Sequence, residues 1–400
     1  MTRKPTANPI RRRLTLLRPA SVATAAVLAL AGCGSSSSSK SKSGPSGPGV
    51  AAAAARVAQL EQLTTAFSPP GPPLKNVRSL AGKTVWYIPI TQKVEFFQAV
   101  SGALSAALGK AGVHLRTCSG EANPSATAAC VNQATASNAG AIIIDAIPIV
   151  VAANAVASAQ AKHIPILVTD QFPPPPGLPG AVHGPLGTDK LAYTPLSSPR
   201  MLAGIADWIV ADSKGHANAL ITELTDSPFT RVLIQQYALG EFRKYCPGCQ
   251  STISQGNIAN PQLIGPATSS ALLSHPGINY ELPEFDAVVQ PAQAGTQQAG
   301  FTSKVKAGST TGLLSGLQLI KSRNFLAADV GEDYPYLGWA VADDVMRIML
   351  HTSPVAETPP VRLFTSANVG SLSLTPAGEA SGAWYGSSAY QAMFTRLWGI

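Results

Sequence analysis

The pattern of apolar positions between Lys83 and Gly109 predicts a buried strand followed by an amphipathic helix. Residues 84–90 are β-branched, aromatic or aliphatic without a period of two, which is typical of a strand covered on both faces in a parallel sheet. Further on, apolar residues recur every three or four positions, as on the buried face of a helix. These residues are Phe97, Val100, Leu104, Ala107 and Leu108. One strand and one helix therefore follow each other directly.

The residues at the junction of this strand and this helix are candidates for ligand contact. Gln92, Phe96 and Phe97 lie where the chain leaves a strand and opens a helix, and α/β sheets bind ligands at this carboxyl edge. The helical spacing also fits a purely structural role, in which both phenylalanines belong to the core. Both interpretations stay open from the residues alone.

The same alternation of strand and helix patterns continues along the chain. We predict strands at residues 84–90, 114–117, 141–145, 166–168, 219–222, 278–282, 304–307 and 325–329. We predict helices at residues 95–110, 124–137, 150–162, 199–212, 229–245, 261–273, 286–298 and 312–321. A proline-rich break at residues 173–179 divides them into two series. Repeated βα units form doubly wound parallel sheets, so we expect an α/β fold with two lobes of like design.

Residues 1–33 have the features of a targeting segment. Six basic and no acidic residues precede an uncharged run of 14 residues, which is too short to cross a bilayer and matches the apolar part of a signal peptide. The run ends in Leu30-Ala31-Gly32-Cys33, which resembles a bacterial lipobox, where the cysteine is acylated and becomes the N-terminus. The alternatives are an ordinary signal peptide with an incidental cysteine and a twin-arginine signal at residues 11–13. We expect an extracytoplasmic lipoprotein anchored to the cell membrane through Cys33.

A spacer and a short helix follow the lipobox. Residues 34–49 consist of Ser, Gly, Lys and Pro, as in a flexible tether, and residues 51–67 fit a short helix packed on a body that begins near Leu80. Removing residues 1–33 lowers the formal net charge from +8 to about +2. The basic balance therefore belongs mostly to the leader, and no later cluster of Lys and Arg predicts binding to nucleic acid.

The cysteine usage agrees with export. Cys118 and Cys130 are close in sequence, as are Cys246 and Cys249, so we predict one disulfide within each pair. The alternative for Cys246-Pro247-Gly248-Cys249 is a redox-active or metal-binding CxxC. A second CxxC and a nearby histidine are absent from the sequence, which favours the structural disulfide.

The order and spacing of several segments resemble the type I periplasmic binding proteins, in particular the ribose-binding-protein-like sugar-binding lipoproteins of bacterial ABC importers. The resemblance covers most of residues 83–369, and its carriers are residues 88–91, 95–98, 141–145, 163–170, 275–280, 319–321 and 327–330. It implies two doubly wound parallel-sheet lobes that close on a small ligand. It also implies a hinge of three crossings, near residues 187–194, 329–334 and 366–369.

The resemblance also implies a domain organisation. We expect a signal peptide with lipobox at 1–33, a tether plus short helix at 34–80, an N-terminal lobe at 81–190, a C-terminal lobe at 191–328, a return to the N-terminal lobe at 329–365, and a final crossing with the C-terminal segment at 366–400.

The residues that match the family only partly reproduce its sugar site. Phe96 and Phe97 match the aromatic pair that stacks on the sugar, and Asp170 matches the acid that ends the fourth strand. The family's polar residues in the first, third and fourth loops are Val94, Pro148 and Gln171 here, and the Asp common near Ser309 and Thr310 is missing. A simple pentose fits poorly, because each buried hydroxyl without a partner costs about 1–3 kcal/mol.

We list the candidate ligand-binding residues by lobe. They are Gln92, Phe96, Phe97, Asp145 and Asp170 on the first lobe, Asp226, Phe229, Arg231, Glu284, Asp286 and Thr310 on the second, and Asp329 and Glu332 at a crossing. Hydrogen bonding is expected to have shifted to Arg231, Glu284 and Glu332. The alternatives are that Asp226 and Asp286 cap helices, that Asp145 and Asp329 are structural acids, and that Arg231 pairs on the surface.

Motifs of catalysis do not appear in the sequence. The segment Gly82-Lys83-Thr84 lacks the upstream glycine of a P-loop and precedes its strand. There is no GxSxG or HExxH, and the six histidines are scattered. We therefore expect no enzyme, no metal and no cofactor, although a site assembled from distant loops would escape such a search.

These features together predict a monomeric solute-binding lipoprotein that captures a sugar or similar small polar ligand and delivers it to an ABC permease. One alternative is a receptor of the same fold that hands its liganded form to a sensor. The other is a surface-anchored enzyme on an α/β scaffold.

Overall fold

The computed structural model describes residues 47–184, 186–194 and 197–400. Its strands are β1 (Thr84–Pro89), β2 (His114–Thr117), β3 (Ala141–Asp145), β4 (Ile166–Thr169), β5 (Leu191–Thr194), β6 (Asn218–Leu224), β7 (Gln250–Gly256), β8 (Tyr280–Pro283), β9 (Lys306–Thr311), β10 (Leu326–Glu332) and β11 (Val361–Thr365). Its helices are α1 (Pro48–Leu60), α2 (Glu95–Lys110), α3 (Pro124–Ala136), α4 (Ala153–Ala161), α5 (Ser198–Asp212), α6 (Pro228–Val232), α7 (Leu239–Tyr245), α8 (Ile264–Ser274), α9 (Val289–Ala299), α10 (Leu314–Lys321), α11 (Tyr334–Met349), α12 (Pro376–Ala380) and α13 (Tyr390–Trp398). The predicted leader, with Cys33, and most of the predicted tether lie outside the described residues.

The strands form two sheets, one in each lobe. The first sheet has the order β2-β1-β3-β4-β5 and is parallel throughout. The second has the order β11-β10-β9-β8-β6-β7, and its strands are parallel except for β11, which runs antiparallel to β10. The predicted fold class, α/β with two parallel-sheet lobes, is confirmed.

Strand β1 shows why the first lobe is built as three layers. Val85 and Tyr87 pack into a core with α2 and α11, whereas Trp86 and Ile88 pack into a second core with α3 and α4. Every residue from Val85 onward in this strand is buried. A strand that is apolar on both faces needs helices on both sides of the sheet, and the βαβ connections supply them.

Several elements were not predicted, and their sequences explain why. Residues 334–348 of α11 are all buried, including Asp343, Asp344 and Arg347, so its polar positions do not mark an exposed face of the helix. Strand β7 is an edge strand with the polar sequence QSTISQG, which lacks an apolar run. Strand β5 has only four residues and follows the proline-rich break.

The chain crosses between the lobes at positions that differ partly from the predicted ones. Because β11 pairs with β10, residues 361–365 belong to the second lobe, and the third crossing lies at residues 350–360 and not near 366–369. Residues 329–332 of β10 also belong to the second sheet, and β5 at 191–194 belongs to the first. The strand positions therefore differ from the predicted limits of the return segment, 329 and 365, and of the first lobe, 190. The sequence analysis treated the chain as repeated βα units, which join parallel strands. It therefore did not predict the added antiparallel strand β11.

The folded region begins well before Leu80. Helix α1 packs on α5 of the second lobe, where Arg56 forms ion pairs with Asp207 and with Glu241. The chain then runs along the hinge to the first lobe, where Leu74 is buried. The predicted short helix exists, but it begins at Pro48, and residues 61–80 are part of the body.

The chain returns to the first lobe at its last helix. Trp384 and Tyr385 pack beside Phe364 in the second lobe, whereas α13 lies in the core of the first. Trp398 stacks on Trp339 of α11 with ring centroids 5.2 Å apart, and its Nε1 donates a hydrogen bond of 2.7 Å to Asp343.

Both predicted disulfides are present. Cys118, next to β2, is bonded to Cys130 of α3, and Cys246 is bonded to Cys249 in the turn between α7 and β7. Among the described helices, none is long and apolar enough to span a membrane.

Candidate functional site

The carboxyl ends of the two sheets face each other across a cavity of about 90 Å³. Twelve of its nineteen lining residues are apolar: Ile90, Val94, Phe96, Phe97, Ala146, Met201, Leu224, Phe229, Ile258, Phe285, Ala287 and Leu313. The seven polar residues are Asp170, Gln171, Ser198, Asp226, Ser227, Thr230 and Thr311. Almost all of them lie within a few residues of the end of a strand, as expected for a ligand site in an open α/β sheet.

Phenylalanine rings from both lobes line the cavity. Phe97 is buried and Phe96 is half-buried, and their rings meet edge to face with centroids 4.9 Å apart. Phe96 also contacts Tyr334, which follows the second crossing, at 5.3 Å. On the second lobe, Phe229 packs against Phe172 at 4.9 Å. Phe97 is therefore both a core residue and a lining residue, so the two interpretations of this pair do not exclude each other.

The first lobe contributes a pair of buried carboxyl groups. Asp145 ends β3 and accepts a hydrogen bond of 2.5 Å from the Tyr87 hydroxyl, and Asp170 follows β4 and accepts one of 3.3 Å from Ser198. The other oxygen of each carboxyl is buried without a hydrogen-bond partner among the described residues. Burial, and then the negative charges of Asp145 and Glu332, raise the pKa of Asp170 well above its usual range. Asp170 lines the cavity, whereas Asp145 lies behind it.

Glu332 adds a third carboxyl group at the end of β10. Both of its oxygens are buried without a hydrogen-bond partner. Burial raises the pKa of Glu332 to about 7, although the Ser197 hydroxyl and the charge of Arg200 oppose the shift. Glu332 does not line the cavity itself. Its negative charge instead raises the pKa of Asp170, which does line the cavity.

Polar contacts hold the second side of the cavity in place. Asp226 accepts a hydrogen bond of 2.8 Å from the Ile258 amide, so it joins two strand-end loops, and Ser227 is the residue that caps α6. The Ser227 hydroxyl also donates to the Gln171 side-chain oxygen at 3.0 Å. This last hydrogen bond spans the two lobes.

Five predicted residues line the cavity, and the others do not. Phe96, Phe97, Asp170, Asp226 and Phe229 are lining residues. Arg231 is exposed and does not reach the cavity. Gln92 is half-buried and does not line the cavity; its backbone N–H donates to the Ser119 hydroxyl, and its side-chain Nε2 has no hydrogen-bond partner among the described residues.

Four of the remaining predicted residues serve the structure of the second lobe. Glu284 accepts a hydrogen bond of 2.7 Å from the Leu224 amide, and Thr310 donates one of 2.6 Å to the Glu284 carbonyl. Asp286 accepts from the Leu313 amide at 2.9 Å, and Asp329 accepts from the Gly312 amide at 3.0 Å. These four side chains fix the loops that carry lining residues, and they do not line the cavity themselves.

The lining residues that sequence analysis missed are mostly apolar neighbours of the predicted ones. Phe285 and Ala287 flank Asp286, and Thr311 follows Thr310. Their common signal is position, because each follows the end of a buried strand. A search for polar side chains passed over them.

The comparisons with known proteins rest on structure. No protein-family model matches the sequence, and no curated protein sequence matches it. Many solved structures do match. The glucose-galactose binding protein GanP from Geobacillus stearothermophilus has a TM-score of 0.61 and 15% identity, over 72% of this chain and 98% of that chain. The 5-methylthioribose transporter solute binding protein from Thermotoga lettingae TMO has a TM-score of 0.63 and 15% identity, over 78% and 98%. An ABC transporter solute binding protein from Agrobacterium vitis with bound allitol has a TM-score of 0.61 and 18% identity, over 73% and 98%.

The fold is that of the type I periplasmic binding proteins. In this periplasmic binding protein fold, the cavity of this chain lies between the lobes, where both sheets present their carboxyl ends.

A second group of acids lies behind the hinge of the periplasmic binding protein fold. Asp343, Asp344 and Glu357 each place an oxygen within 4.8 Å of the others. Asp343 is paired with Arg347 at 2.6 Å, and Asp344 accepts hydrogen bonds from Thr194 and from the Val355 amide. Burial, and then the neighbouring acids, raise the pKa of Glu357 to about 10, so this carboxyl group is protonated near neutral pH. Geometry alone would allow these oxygens to ligate a cation, but a shared proton and Arg347 already account for their arrangement.

Proposed function

We propose that the chain is an extracytoplasmic solute-binding lipoprotein that captures a small organic ligand between its lobes and delivers it to an ABC permease without catalysing a reaction. The observation that carries this proposal is the cavity at the meeting of the two sheets, lined from both lobes and containing the unpaired buried oxygen of Asp170. A ligand that contacts both lobes favours the closed state by its differential affinity for closed over open.

Three further facts support the proposal. Solved proteins of this fold include a glucose-galactose binding protein and solute binding proteins that hold 5-methylthioribose or allitol. Residues 1–33 have the pattern of a lipoprotein leader. No His, Cys or Lys side chain is among the described lining residues, so they offer no Ser-His or Cys-His pair of nucleophile and base.

The proposal is tested by identifying what the cavity holds. Native mass spectrometry of the gently purified protein should detect a small molecule that is released on denaturation and keeps its mass after prolonged incubation. Met201→Trp should exclude the molecule, because Met201 is buried and lines the cavity, which has no room for a larger ring. The matched control is Leu63→Trp, because Leu63 is exposed at 50% and does not line the cavity.

Two results would contradict ligand capture. One is a bound molecule that persists in Met201→Trp while that variant stays folded. The other is conversion of the molecule to a product during incubation. Anchoring is tested separately, because Cys33→Ala should release the protein from the membrane fraction or leave the leader uncleaved.

A further inference from the structure

Most hydroxyl groups of the cavity already donate their hydrogen bonds within the protein, whereas the side-chain nitrogen of Gln171 is a donor that has no partner among the described residues. The Ser198 hydroxyl already donates to Asp170, and the Thr230 hydroxyl donates to the carbonyl of Leu224. The Ser227 hydroxyl donates to Gln171. A sugar hydroxyl needs donors as well as acceptors, whereas an ammonium group needs acceptors only.

Charge points in the same direction. The described lining residues include two carboxyl side chains, Asp170 and Asp226, and no Lys or Arg. Asp145 and Glu332 lie close enough to raise the pKa of Asp170 by their charge, and Arg200 is the cation that acts on Glu332. The carboxyl groups therefore outnumber the cations at this end of the cavity. Asp170 is 6% exposed, and one of its oxygens has no hydrogen-bond partner.

The rest of the cavity suits an apolar body next to a positive charge. Phe96, Phe97 and Phe229 present aromatic rings, and rings attract organic cations through their electron-rich faces. Met201 and Leu224 add aliphatic side chains to this apolar part of the cavity lining. The space is about 90 Å³, which restricts the ligand to a few non-hydrogen atoms unless the lobes open.

We infer that the ligand is a small organic cation, with its ammonium group at Asp170 and its apolar body against the phenylalanines. This inference rests on the proposed capture of a solute between the lobes, and it narrows the class of solute. Polyols of the kind held by other proteins of this fold would leave hydroxyl groups without partners here.

Binding of a cation should release a proton, and affinity should rise with pH. Asp170 interacts with Asp145 from β3, Tyr87 from β1, Glu332 from β10 and Ser198 from α5, and Arg200 from α5 acts on Glu332. A bound ammonium group favours the ionised form of Asp170, whereas burial and the other acids favour the protonated form. A neutral ligand has no such linkage.

Matched cationic and neutral probes test the inference by titration calorimetry. The pairs are choline with 3,3-dimethylbutan-1-ol, and isobutylamine with isobutanol; D-glucose and allitol serve as polyol probes. The cation of at least one pair should bind about tenfold more tightly than its neutral partner, and about tenfold more tightly at pH 8 than at pH 5.5. Buffers of different ionisation enthalpy should reveal the released proton.

Variants locate the charge that is recognised. Asp170→Asn should weaken cation binding about tenfold, and asparagine tolerates the positive φ of 52° at this position. The control Asp189→Asn alters a carboxyl group before β5, at the opposite edge of the sheet, and should bind as the parent does. Val94→Lys should abolish cation binding by placing a positive charge in the cavity, whereas Val94→Met fills similar space without the charge. This pair keeps the test valid if Asp170→Asn does not fold.

The outcomes separate the inference from the proposed function. Equal affinity for a cation and its neutral partner overturns the inference, as does cation binding that survives Val94→Lys. Binding of glucose or allitol, lost in Met201→Trp, with no cation binding, overturns the inference and supports the proposed function. If none of the probes binds and the purified protein holds no small molecule, both are overturned.

Discussion

Phe96 and Phe97 are neighbours in sequence, but they differ in burial and in the residues that they contact. Phe97 is 5% exposed and packs in the core of the first lobe, whereas Phe96 is half-buried and contacts Phe97 and Tyr334 by its ring edges. Truncating Phe97 therefore removes core packing and a cavity wall together. Truncating Phe96 reports more cleanly on the cavity.

We expect Phe96→Ala to lose retention of the co-purifying ligand while losing only about 1–2 kcal/mol of stability. Phe67→Ala is the matched control, because Phe67 is also half-buried with two aromatic partners, Tyr336 and Tyr390, but lies outside the cavity. Urea unfolding and native mass spectrometry of both variants supply the comparison. Equal retention of ligand by the two variants would show that Phe96 does not contact it.

Glu284 was predicted to bind ligand, but it holds the Leu224 amide instead. Burial raises the pKa of Glu284 well above its usual range, which favours its protonated form in the folded state. Glu284→Gln keeps an oxygen for the amide, and we expect unchanged ligand affinity. Glu284→Ala leaves the buried Leu224 amide unpaired, which should cost about 1–3 kcal/mol. If calorimetry shows reduced ligand affinity in the glutamine variant, Glu284 contributes to ligand binding after all.

At the scale of elements, the sequence predicts a helix or strand best where the buried positions follow the period of that element. Strand β3 and helix α2 have the predicted bounds, because one is a short apolar run and the other has a single apolar stripe. Helix α11 was missed since it is buried on all sides. The position of β11 could not be read from local pattern, because it depends on pairing with β10 across an intervening helix in the other lobe.

The candidate site shows the same limit within single strand ends. Sequence analysis proposed Glu284 and Thr310 at two strand ends, whereas their neighbours Phe285 and Thr311 line the cavity. Successive side chains of an extended chain point in opposite directions. In a strand buried on both faces, polar and apolar residues do not alternate. The sequence therefore does not indicate which of two neighbouring side chains points into the cavity.

Helix α1 offers a prediction at this scale, because one arginine ties it to the second lobe. Arg56 donates to Asp207 at 2.6 Å and to Glu241 at 2.8 Å, and burial raises the pKa of Asp207 to about 6 in spite of this pairing. Arg56→Ala should destabilise the protein by about 1–3 kcal/mol at pH 8, where Asp207 would be left charged and buried. The loss should shrink at pH 5, where Asp207 can take up a proton.

The exposed pair of Lys93 and Glu121 provides the control for this measurement. Its nitrogen and oxygen lie 2.9 Å apart, with side chains 81% and 46% exposed. Lys93→Ala should leave the urea midpoint unchanged. If Arg56→Ala also leaves it unchanged at both pH values, α1 is held by its apolar face alone.

At the scale of the whole molecule, the buried acids set how stability depends on pH. Burial raises the pKa of Asp344 and Glu332 to about 7 and that of Glu357 to about 10, and it raises those of Asp170, Glu284 and Asp329 well above the usual range. Between the unfolded and the folded pKa values, the folded state binds more protons than the unfolded state. Stability therefore falls as pH rises through this window.

We expect the free energy of unfolding to be lower at pH 8 than at pH 5 by several kcal/mol, with Glu332 alone contributing about 3 kcal/mol. Urea unfolding across this range measures the slope. Glu332→Gln should flatten it, because the amide does not titrate. Stability that rises with pH, as it does for proteins whose carboxylates are paired in the folded state, would contradict this account of the buried acids.

The position of α13 sets the order in which the two lobes can be completed during synthesis. The first lobe begins with β1, but its core also contains Trp398, stacked on Trp339 and bonded to Asp343. Part of the apolar surface of the first strands to be synthesised therefore stays uncovered. It can be covered only after more than 300 further residues have been made. The second lobe has β6 to β11 between those two ends and can complete its sheet earlier. The half of the molecule that is made first is the half that closes last, and it is the half that a chaperone would have to shield.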